Sequence, residues 1–223
     1  MIGTPRAHWR LTDSTNERAK ELAAGGAPHG TLVTADEQSA GRGRQGRVWT
    51  APPRSAVLMS LVVREPTEML PLTTAVAVCD GLPVDCAIKW PNDVWLDRRK
   101  LAGILVEGRP QQGWAVLGVG LNVHTTEFPA ELDGLATSLR LAGIETDVEA
   151  ILTSIMQSLD RWLGAPPPAV LDAWRRRDAI CGERVRWASG EGTAAGIDDS
   201  GALLVEVGEG RIALEAGEIH LLR

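Results

Sequence analysis

The 223-residue sequence predicts a large unit combining α-helices with β-strands, followed by a small β-barrel. Three observations predict it. Apolar runs of strand length recur between residues 31 and 123, and two of them are interrupted by glycine. Stretches with helical spacing lie at 70–82 and 148–163. From Cys181 onward the chain changes character: five short alternating stretches, separated by glycine-bearing turns, fall within about 45 residues, the pattern of a small barrel. The change places a boundary near residue 178 and divides the chain into 1–177 and 178–223.

The elements follow in order. Residues 9–11 read as a short strand leading into Thr12-Asp13-Ser14-Thr15-Asn16-Glu17. Ser14 with Glu17 has the form of a capping box, and Ala19, Leu22 and Ala23 supply the apolar face of a helix that Gly25-Gly26 stops. Two readings stand for Ser14-Thr15-Asn16. One is plain capping; the other is ligand binding, since free N–H groups and hydroxyls gather at a helix N-terminus. A strand at 31–35 delivers Asp36-Glu37-Gln38 to a loop, and the unbroken apolar run 56–63 predicts a central strand buried on both faces. Pro71 belongs to the first turn of a helix reaching about residue 82.

Residues 87–96 read as strand, turn and strand, with Pro91-Asn92-Asp93 as the turn; 97–100 form another turn. Strands follow at 101–107, interrupted by Gly103, and at 114–123, interrupted by Gly118 and Gly120. A glycine inside a strand marks a bulge or the close approach of a ligand. This Gly-x-Gly lacks the third glycine, the helix and the later acidic residue of a dinucleotide fingerprint. A helix over 148–163 puts Ile151, Leu152, Ile155, Leu159 and Trp162 on one face, residues 164–168 break it, and a short helix spans about 169–177. The barrel strands are 184–187, 192–197, 203–207, 211–214 and 218–221.

Composition excludes several classes. At 44% hydrophobic and 23% charged the chain can bury a real core. A net charge of −6 argues against broad nucleic-acid binding, which needs a basic face. Cys79, Cys86 and Cys181 are an odd set without metal spacing and read as reduced, mostly packed thiols. His8, His29, His124 and His220 are scattered and suggest no metal site. No apolar run reaches the roughly 18 residues of a membrane span, and residues 1–10 lack a signal-peptide core. The expectation is a soluble, cytoplasmic protein with neither a membrane nor a nucleic-acid partner.

Against this acidic background stands Gly41-Arg42-Gly43-Arg44-Gln45-Gly46-Arg47-Val48-Trp49. Glycines allow close backbone approach, arginines match phosphate or carboxylate oxygens, and an indole can wall a pocket. The stretch reads as a mobile loop closing over a small anion such as a nucleotide phosphate. A flexible RNA-binding segment has similar composition.

This loop resembles the nucleotide loop of the biotin protein ligases. Lys89-Trp90-Pro91-Asn92-Asp93 with Lys100-Leu101-Ala102-Gly103-Ile104-Leu105-Val106-Glu107 is similar to that family's second signature, and Gly118-Val119-Gly120-Leu121-Asn122 to its third. Ser14-Thr15-Asn16 and Gly217-Glu218-Ile219 also fit, so the likeness covers essentially the whole chain. Lipoate ligases resemble the catalytic fold without the Lys-Trp-Pro-Asn-Asp segment.

The resemblance implies an α+β fold: a mixed-sheet catalytic domain over 1–177 and an SH3-like barrel over 178–223. It also implies two half-reactions. Biotin and Mg²⁺-ATP give biotinyl-5′-AMP and pyrophosphate; a lysine of a biotin carboxyl carrier domain then takes the biotin and releases AMP. Joining two anions requires positive charge and Mg²⁺, and the motif positions point to Arg42, Arg44 and Lys100, with the ion held through ATP. Biotin binding falls by resemblance to Ser14, Thr15, Asn16, Gln38, Gly41, Arg42 and Lys100, with Gly103, Gly118 and Gly120 leaving room for its apolar body. ATP or AMP binding falls to Arg42, Gly43, Arg44, Arg47, Trp49, Asn92, Lys100 and Asn122. For Asp93 two roles stay open, orienting or deprotonating the incoming lysine, or holding the turn. Gln45 stands where many relatives have arginine, and Arg223 falls one place beyond the family's terminal arginine, so no role passes to it. The signature begins by Ser14, which leaves no room for the regulatory members' helix-turn-helix domain and predicts no operator binding. A homodimer stays open.

Overall fold

The computed structural model describes residues 2–215 and 217–222; Met1, Ala216 and Arg223 lie outside it. The larger unit is one seven-stranded sheet between two helical layers. Its strands are β1 (Arg6–Trp9), β2 (Leu32–Ala35), β3 (Ala56–Arg64), β4 (Ala87–Lys89), β5 (Asp93–Leu96), β6 (Arg99–Arg109) and β7 (Trp114–Asn122), in spatial order β1-β2-β3-β7-β6-β5-β4. β1 and β2 run parallel, joined through helix α1 (Thr15–Ala24); every other neighbouring pair is antiparallel, so the sheet is mixed.

Period-two alternation decides which face each residue serves. On β7, Trp114 and Val116 pack with Ala19 and Ala23 of α1 and with Val33 and Val62. The intervening Ala115, Leu117, Val119 and Leu121 enter the larger core on the opposite face. There they meet α2 (Leu70–Asp80), α3 (Val148–Trp162) and α4 (Pro167–Arg175). As the unbroken apolar run predicts, Ala56 to Val63 of β3 are all buried. The face of α3 is also as predicted, with Ile151, Leu152, Ile155 and Leu159 buried and Asp147 capping the helix through Ala150 N–H at 2.7 Å.

Four local readings are corrected. β1 lies earlier than 9–11, because its register matches Arg6–Trp9 to Leu32–Ala35 and leaves Leu11 57% exposed. α4 begins at Pro167, inside the stretch read as a breaker, since prolines in a first turn lack only an N–H that has no helical partner. The last strand is reduced to His220–Leu221. The capping box does not form: Ser14 occupies the cap position but its side chain makes no capping hydrogen bond. Glu17 instead pairs with Lys20 at 2.8 Å and with Arg42. A full opposite charge outcompetes a backbone amide for that carboxylate.

The smaller unit is a five-stranded antiparallel sheet of β8 (Arg184–Trp187), β9 (Gly190–Ile197), β10 (Leu203–Val207), β11 (Gly210–Leu214) and β12 (His220–Leu221), in order β11-β10-β9-β8-β12. Its Val185, Ala194, Ile197, Leu203, Val205 and Ile219 belong to the same apolar cluster as α2 and β6. The joint is also polar. Trp90 Nε1 donates to Gly201 O at 3.1 Å, Arg175 Nη2 donates to Ile197 O at 3.2 Å, and Ala179 N donates to Ile88 O at 2.9 Å.

The cysteines are unpaired thiols. Burial pushes Cys79 up, and pushes Cys86 up to about 12, which keeps both protonated; Cys181 is exposed. No helix among the described residues is long and apolar enough to cross a membrane.

Gly201 tests the joint between the units. It has φ +87°, and a Cβ there would lie 2.5 Å from Leu72 Cδ1. Gly201→Ala therefore meets left-handed strain of roughly 1–2 kcal/mol as well as the clash. Each kcal/mol is worth about 2–4 °C in a protein this size, so thermal unfolding should show a midpoint lowered by at least about 2 °C. An unchanged midpoint would mean that the units are not packed as described.

Candidate functional site

The site grows out of the face of β6 and β7 that α1 covers. Beyond Val116 the row facing α1 continues as Gly118, Gly120 and Asn122 on β7, with Gly103 opposite Gly120 and Leu105 opposite Gly118. Side chains vanish there, and a cavity of about 520 Å³ opens over a glycine floor. Its size suits a small-molecule ligand.

The N-terminus of α1 makes one wall. Ser14, Thr15 and Asn16 are all buried. Gln38 Oε1 accepts from Thr15 N at 2.7 Å and Thr15 Oγ1 at 3.0 Å, so the loop supplies the cap that Ser14 does not. The Ser14 hydroxyl makes no hydrogen bond among the described residues and lines the cavity. Asn16 is committed inward: its Oδ1 lies 2.6 Å from Ser60 Oγ, and its Nδ2 donates to Glu107 Oε2 at 2.8 Å. Burial works to raise the Glu107 carboxyl, but Asn16, Lys20 and Arg42 together hold it below the usual carboxylate range.

The arginine-rich loop makes the roof as a closed hairpin. Arg42 bridges Val48, Trp49 N donates to Gly41 O at 2.9 Å, and Gly43 N donates to Arg47 O at 2.7 Å. At the tip Gln45 and Gly46 have φ of 55° and 75°, the left-handed pair of a tight hairpin turn. Gly41 has to be glycine, because a Cβ would lie 2.4 Å from Trp49 O and 2.7 Å from Gln38 Nε2.

The floor glycines are not filled as expected. A Cβ on Gly120 would meet the Trp49 indole at 2.4 Å, and one on Gly103 would meet it at 3.2 Å. A Cβ on Gly118 would strike Asn16 Oδ1 at 2.2 Å. Trp49 and Asn16, both residues of this chain, therefore take the room that the resemblance assigns to the ligand's apolar body. The strand bulge falls between β5 and β6 near Val94 and Trp95, not at Gly103. Trp49 Nε1 is buried without a partner among the described residues.

The opposite wall is the β4–β5 hairpin, where Lys89 faces Asp93 across the strands. Asp93 accepts Lys100 Nζ at 2.7 Å, and that ammonium lies 5.8 Å from the Trp49 ring centroid. Lys89 Nζ stands 5.4 Å from the Trp95 ring centroid. Asn92 is anchored by its Nδ2 donating to Ile104 O at 2.7 Å, and its Oδ1 accepts from Arg44 at 3.4 Å. Asn122 is buried and donates to Thr137 O at 3.0 Å. Phe128, Leu132 and Leu135 line the far side, and Glu218, His220 and Leu221 of the C-terminal unit reach the rim.

Of the residues singled out from the motifs, all but the buried Gly41 line this one cavity, and their cations divide between its two ends. Arg42 pairs with Glu17 and lies 3.5 Å from Glu107, at the α1 end. Arg44, Arg47, Lys89 and Lys100 share the other end with Asp93 and Glu218, Arg47 pairing with Glu218 at 2.8 Å. Burial pushes the Arg44 guanidinium and the Lys89 ammonium down. Among the described residues no group of three or more His, Cys, Asp or Glu side chains is placed to hold a metal ion.

Sequence reasoning passed over Ser60, Glu107, Lys89 and Glu218 as site residues. Ser60 had a signal, a polar residue inside an apolar strand; Lys89 and Glu218 stood inside motifs already quoted. Residues 128–135 carried none.

The contact of Trp49 with the glycine floor can be read by fluorescence. Gly120→Ala should expel the indole, shifting emission to the red and increasing acrylamide quenching. With eight tryptophans in the chain, the signal is the difference from the same substitution in a Trp49→Phe background. Identical spectra before and after Gly120→Ala would place Trp49 elsewhere.

Comparison with known proteins gives the site its context. Residues 9–123 match the family model described as the biotin/lipoate A/B protein ligase family, and residues 180–222 match the biotin protein ligase C terminal domain. A Bacillus subtilis protein named bifunctional ligase/repressor BirA is 36% identical over 246 residues, covering 99% of this chain and 75% of that protein. A biotin–[acetyl-CoA-carboxylase] ligase of Mycobacterium tuberculosis is 37% identical, covering 95% of this chain and 87% of its own length. A biotin protein ligase from Aquifex aeolicus, solved in complex with biotin and ATP, shares the fold with a TM-score of 0.87 at 27% identity over 99% of both chains. With identity of this extent across both units, the chain belongs to the biotin protein ligase family.

Proposed function

We propose that this protein activates biotin with ATP to biotinyl-5′-AMP and transfers the biotin to a lysine of a biotin carboxyl carrier domain, as in an acetyl-CoA carboxylase. The observation that carries the reading is the arrangement of charge. One glycine-floored cavity has a hydrogen-bonding, charge-balanced end at α1 and a cationic end at the β4–β5 hairpin. The first end suits a neutral polar ring, and the second suits a carboxylate meeting a polyphosphate. The relatives named as biotin ligases, and the solved neighbour holding biotin and ATP, support the same reading. The match of residues 180–222 to a biotin protein ligase domain weighs against a lipoate ligase.

In this mechanism Ser14, Thr15 and Gln38 bind the ureido ring of biotin, with Asn16 holding that wall through Ser60 and Glu107. A carboxylate oxygen of biotin attacks the α-phosphorus of ATP, the bond to the β-phosphate breaks, and pyrophosphate leaves. Lys100 and Arg44 offset the repulsion between the two anions. Mg²⁺ enters on the phosphates of ATP as part of the substrate. Asn122 and Trp49 border the adenine, and the hairpin at 41–49 shields the mixed anhydride from water. Asp93 holds Lys100 during activation. When the carrier amine arrives, Asp93 is the carboxylate beside it, placed to orient the amine and accept its proton. Catalysis then belongs to residues 1–177, in the cytoplasm where ATP and carrier meet.

Biotin-dependent exchange between ATP and pyrophosphate is the test. Exchange should require biotin and should not proceed with lipoate; binding of RNA without exchange would indicate a nucleic-acid module instead. Lys100→Ala should reduce exchange by roughly 10²-fold or more, the scale of one lost electrostatic donor. Its thermal midpoint should hold, since Lys100 is a half-buried residue at a strand end. Parental exchange in Lys100→Ala would remove that residue from the mechanism.

A further inference from the structure

We propose that Glu107 sets the specificity of the α1 end of the cavity: its negative charge cancels the anion-attracting field there, so that this end takes a neutral ring and refuses a carboxylate or phosphate. The inference rests on the biotin-activation reading above and names the residue that decides which way round biotin lies.

The α1 end is built from parts that by themselves would bind an anion. Ser14, Thr15 and Asn16, at the N-terminus of the ten-residue α1, line the cavity. A helix N-terminus carries about half a positive charge and free N–H groups, the makings of an anion site. Arg42 lines the same end, and Lys20 stands one turn along the helix from Asn16. Left alone, these groups would draw in the carboxylate of biotin or a phosphate of ATP. A biotin bound in that direction has its carboxylate far from Lys100 and cannot be activated.

Two carboxylates meet this charge. Glu17 pairs with Lys20 at 2.8 Å and with Arg42, and Glu107 lies 3.2 Å from Lys20 and 3.5 Å from Arg42. Two cations thus face two carboxylates, while Asp13, beside the helix start, is taken by Arg18 at 2.7 Å. Of the pair, Glu107 is the one that touches the cavity wall, its Oε2 accepting from Asn16 Nδ2 at 2.8 Å. It also comes from the sheet, where β6 pairs it with Val116 of β7, whereas Arg42 rides on the hairpin at 41–49. The counter-charge therefore stays in place when the roof moves.

Glu107 stands behind Asn16, outside the cavity lining, and acts through space. Across one side chain of a half-buried wall, a unit charge changes the affinity for another by about tenfold or more. Burial works to raise the Glu107 carboxyl, but Asn16, Lys20 and Arg42 hold it below the usual range, so the charge is present at neutral pH. Biotin is uncharged at its ring and anionic at its tail. A neutral end and a cationic end of one cavity sort the two by charge alone.

The test uses two straight-chain acids, nonanoate and its dicarboxylate azelate, which offer the α1 end a methyl group or a carboxylate. Calorimetry measures the binding of each directly, and displacement by biotin checks the site. The parent should bind azelate no better than nonanoate. Glu107→Gln removes the charge but keeps an oxygen to accept from Asn16. In that variant the preference for azelate over nonanoate should rise at least about tenfold. Adding Lys20→Gln removes one cation and should return the preference to the parental value, a rescue that a purely structural role does not predict. An unchanged preference in Glu107→Gln would overturn the assignment, and so would a raised preference that Lys20→Gln fails to lower. Weaker biotin binding with no gain in azelate binding would leave Glu107 only a support for Asn16, and would overturn it too. A parent protein that binds no biotin would instead sink the activation reading itself, and this inference with it.

Discussion

The site depends on a gap in the side-chain layer of one sheet face. Along β7 the residues facing α1 run Trp114, Val116, Gly118, Gly120, Asn122, and β6 places Gly103 beside Gly120. The first two carry the helix; the next two carry nothing. That step lets the N-terminus of α1 and the Trp49 indole come down onto the backbone of the sheet, and it makes the floor of the cavity. A methyl group at Gly118 would contest the place of Asn16, and one at Gly120 the place of Trp49. The polar network of Asn16, Ser60 and Glu107 and the position of the hairpin roof both follow from this absence of Cβ atoms. Close packing converts each missing methyl into a specific neighbour.

Charge is laid over this floor in two parts, and the hairpin at 41–49 touches both. Arg42 leans to Glu17 and Glu107, while Arg44 and Arg47 lean to Asn92 and Glu218. Glu218 lies in the C-terminal unit, so one ion pair ties the roof of the cavity to the smaller sheet. Half-exposed pairs of this kind are individually weak and readily exchanged for a better anion. That suits a roof whose arginines have two alternatives, a carboxylate of the chain or an oxygen of the ligand. The fixed parts of the same wall, Ile88, Trp90 and Ile104, are buried and bonded to backbone.

Much of the fold was legible because burial imposes period. The all-buried β3, the stripe on α3 and the paired strands from residue 87 to 122 stand where the apolar pattern placed them, within a residue or two at most ends. The misreadings were those in which a short local signal met a stronger distant partner. Ser14 and Glu17 have the spacing of a capping box, yet Arg42, 25 residues away in sequence, takes the carboxylate, and Asp13 takes the Ser14 amide. The strand expected at 9–11 moved because parallel pairing with β2 sets the register of β1.

By itself the sequence determined the order of strands and helices, the change of character near residue 178, the acidic balance that isolates the arginine loop, and the positions of the glycines. Periodicity, composition and the absence of a side chain are properties of the chain alone. The tertiary structure decided what each of these meets. It showed that Gly118 makes way for Asn16 and Gly120 for Trp49, that Lys100 is claimed by Asp93, and that Lys89 and Arg44 have no carboxylate within 4 Å among the described residues. Those outcomes depend on distances between residues far apart in the chain. A lysine in a turn and a lysine facing an unbalanced positive field are the same letter until the sheet is folded.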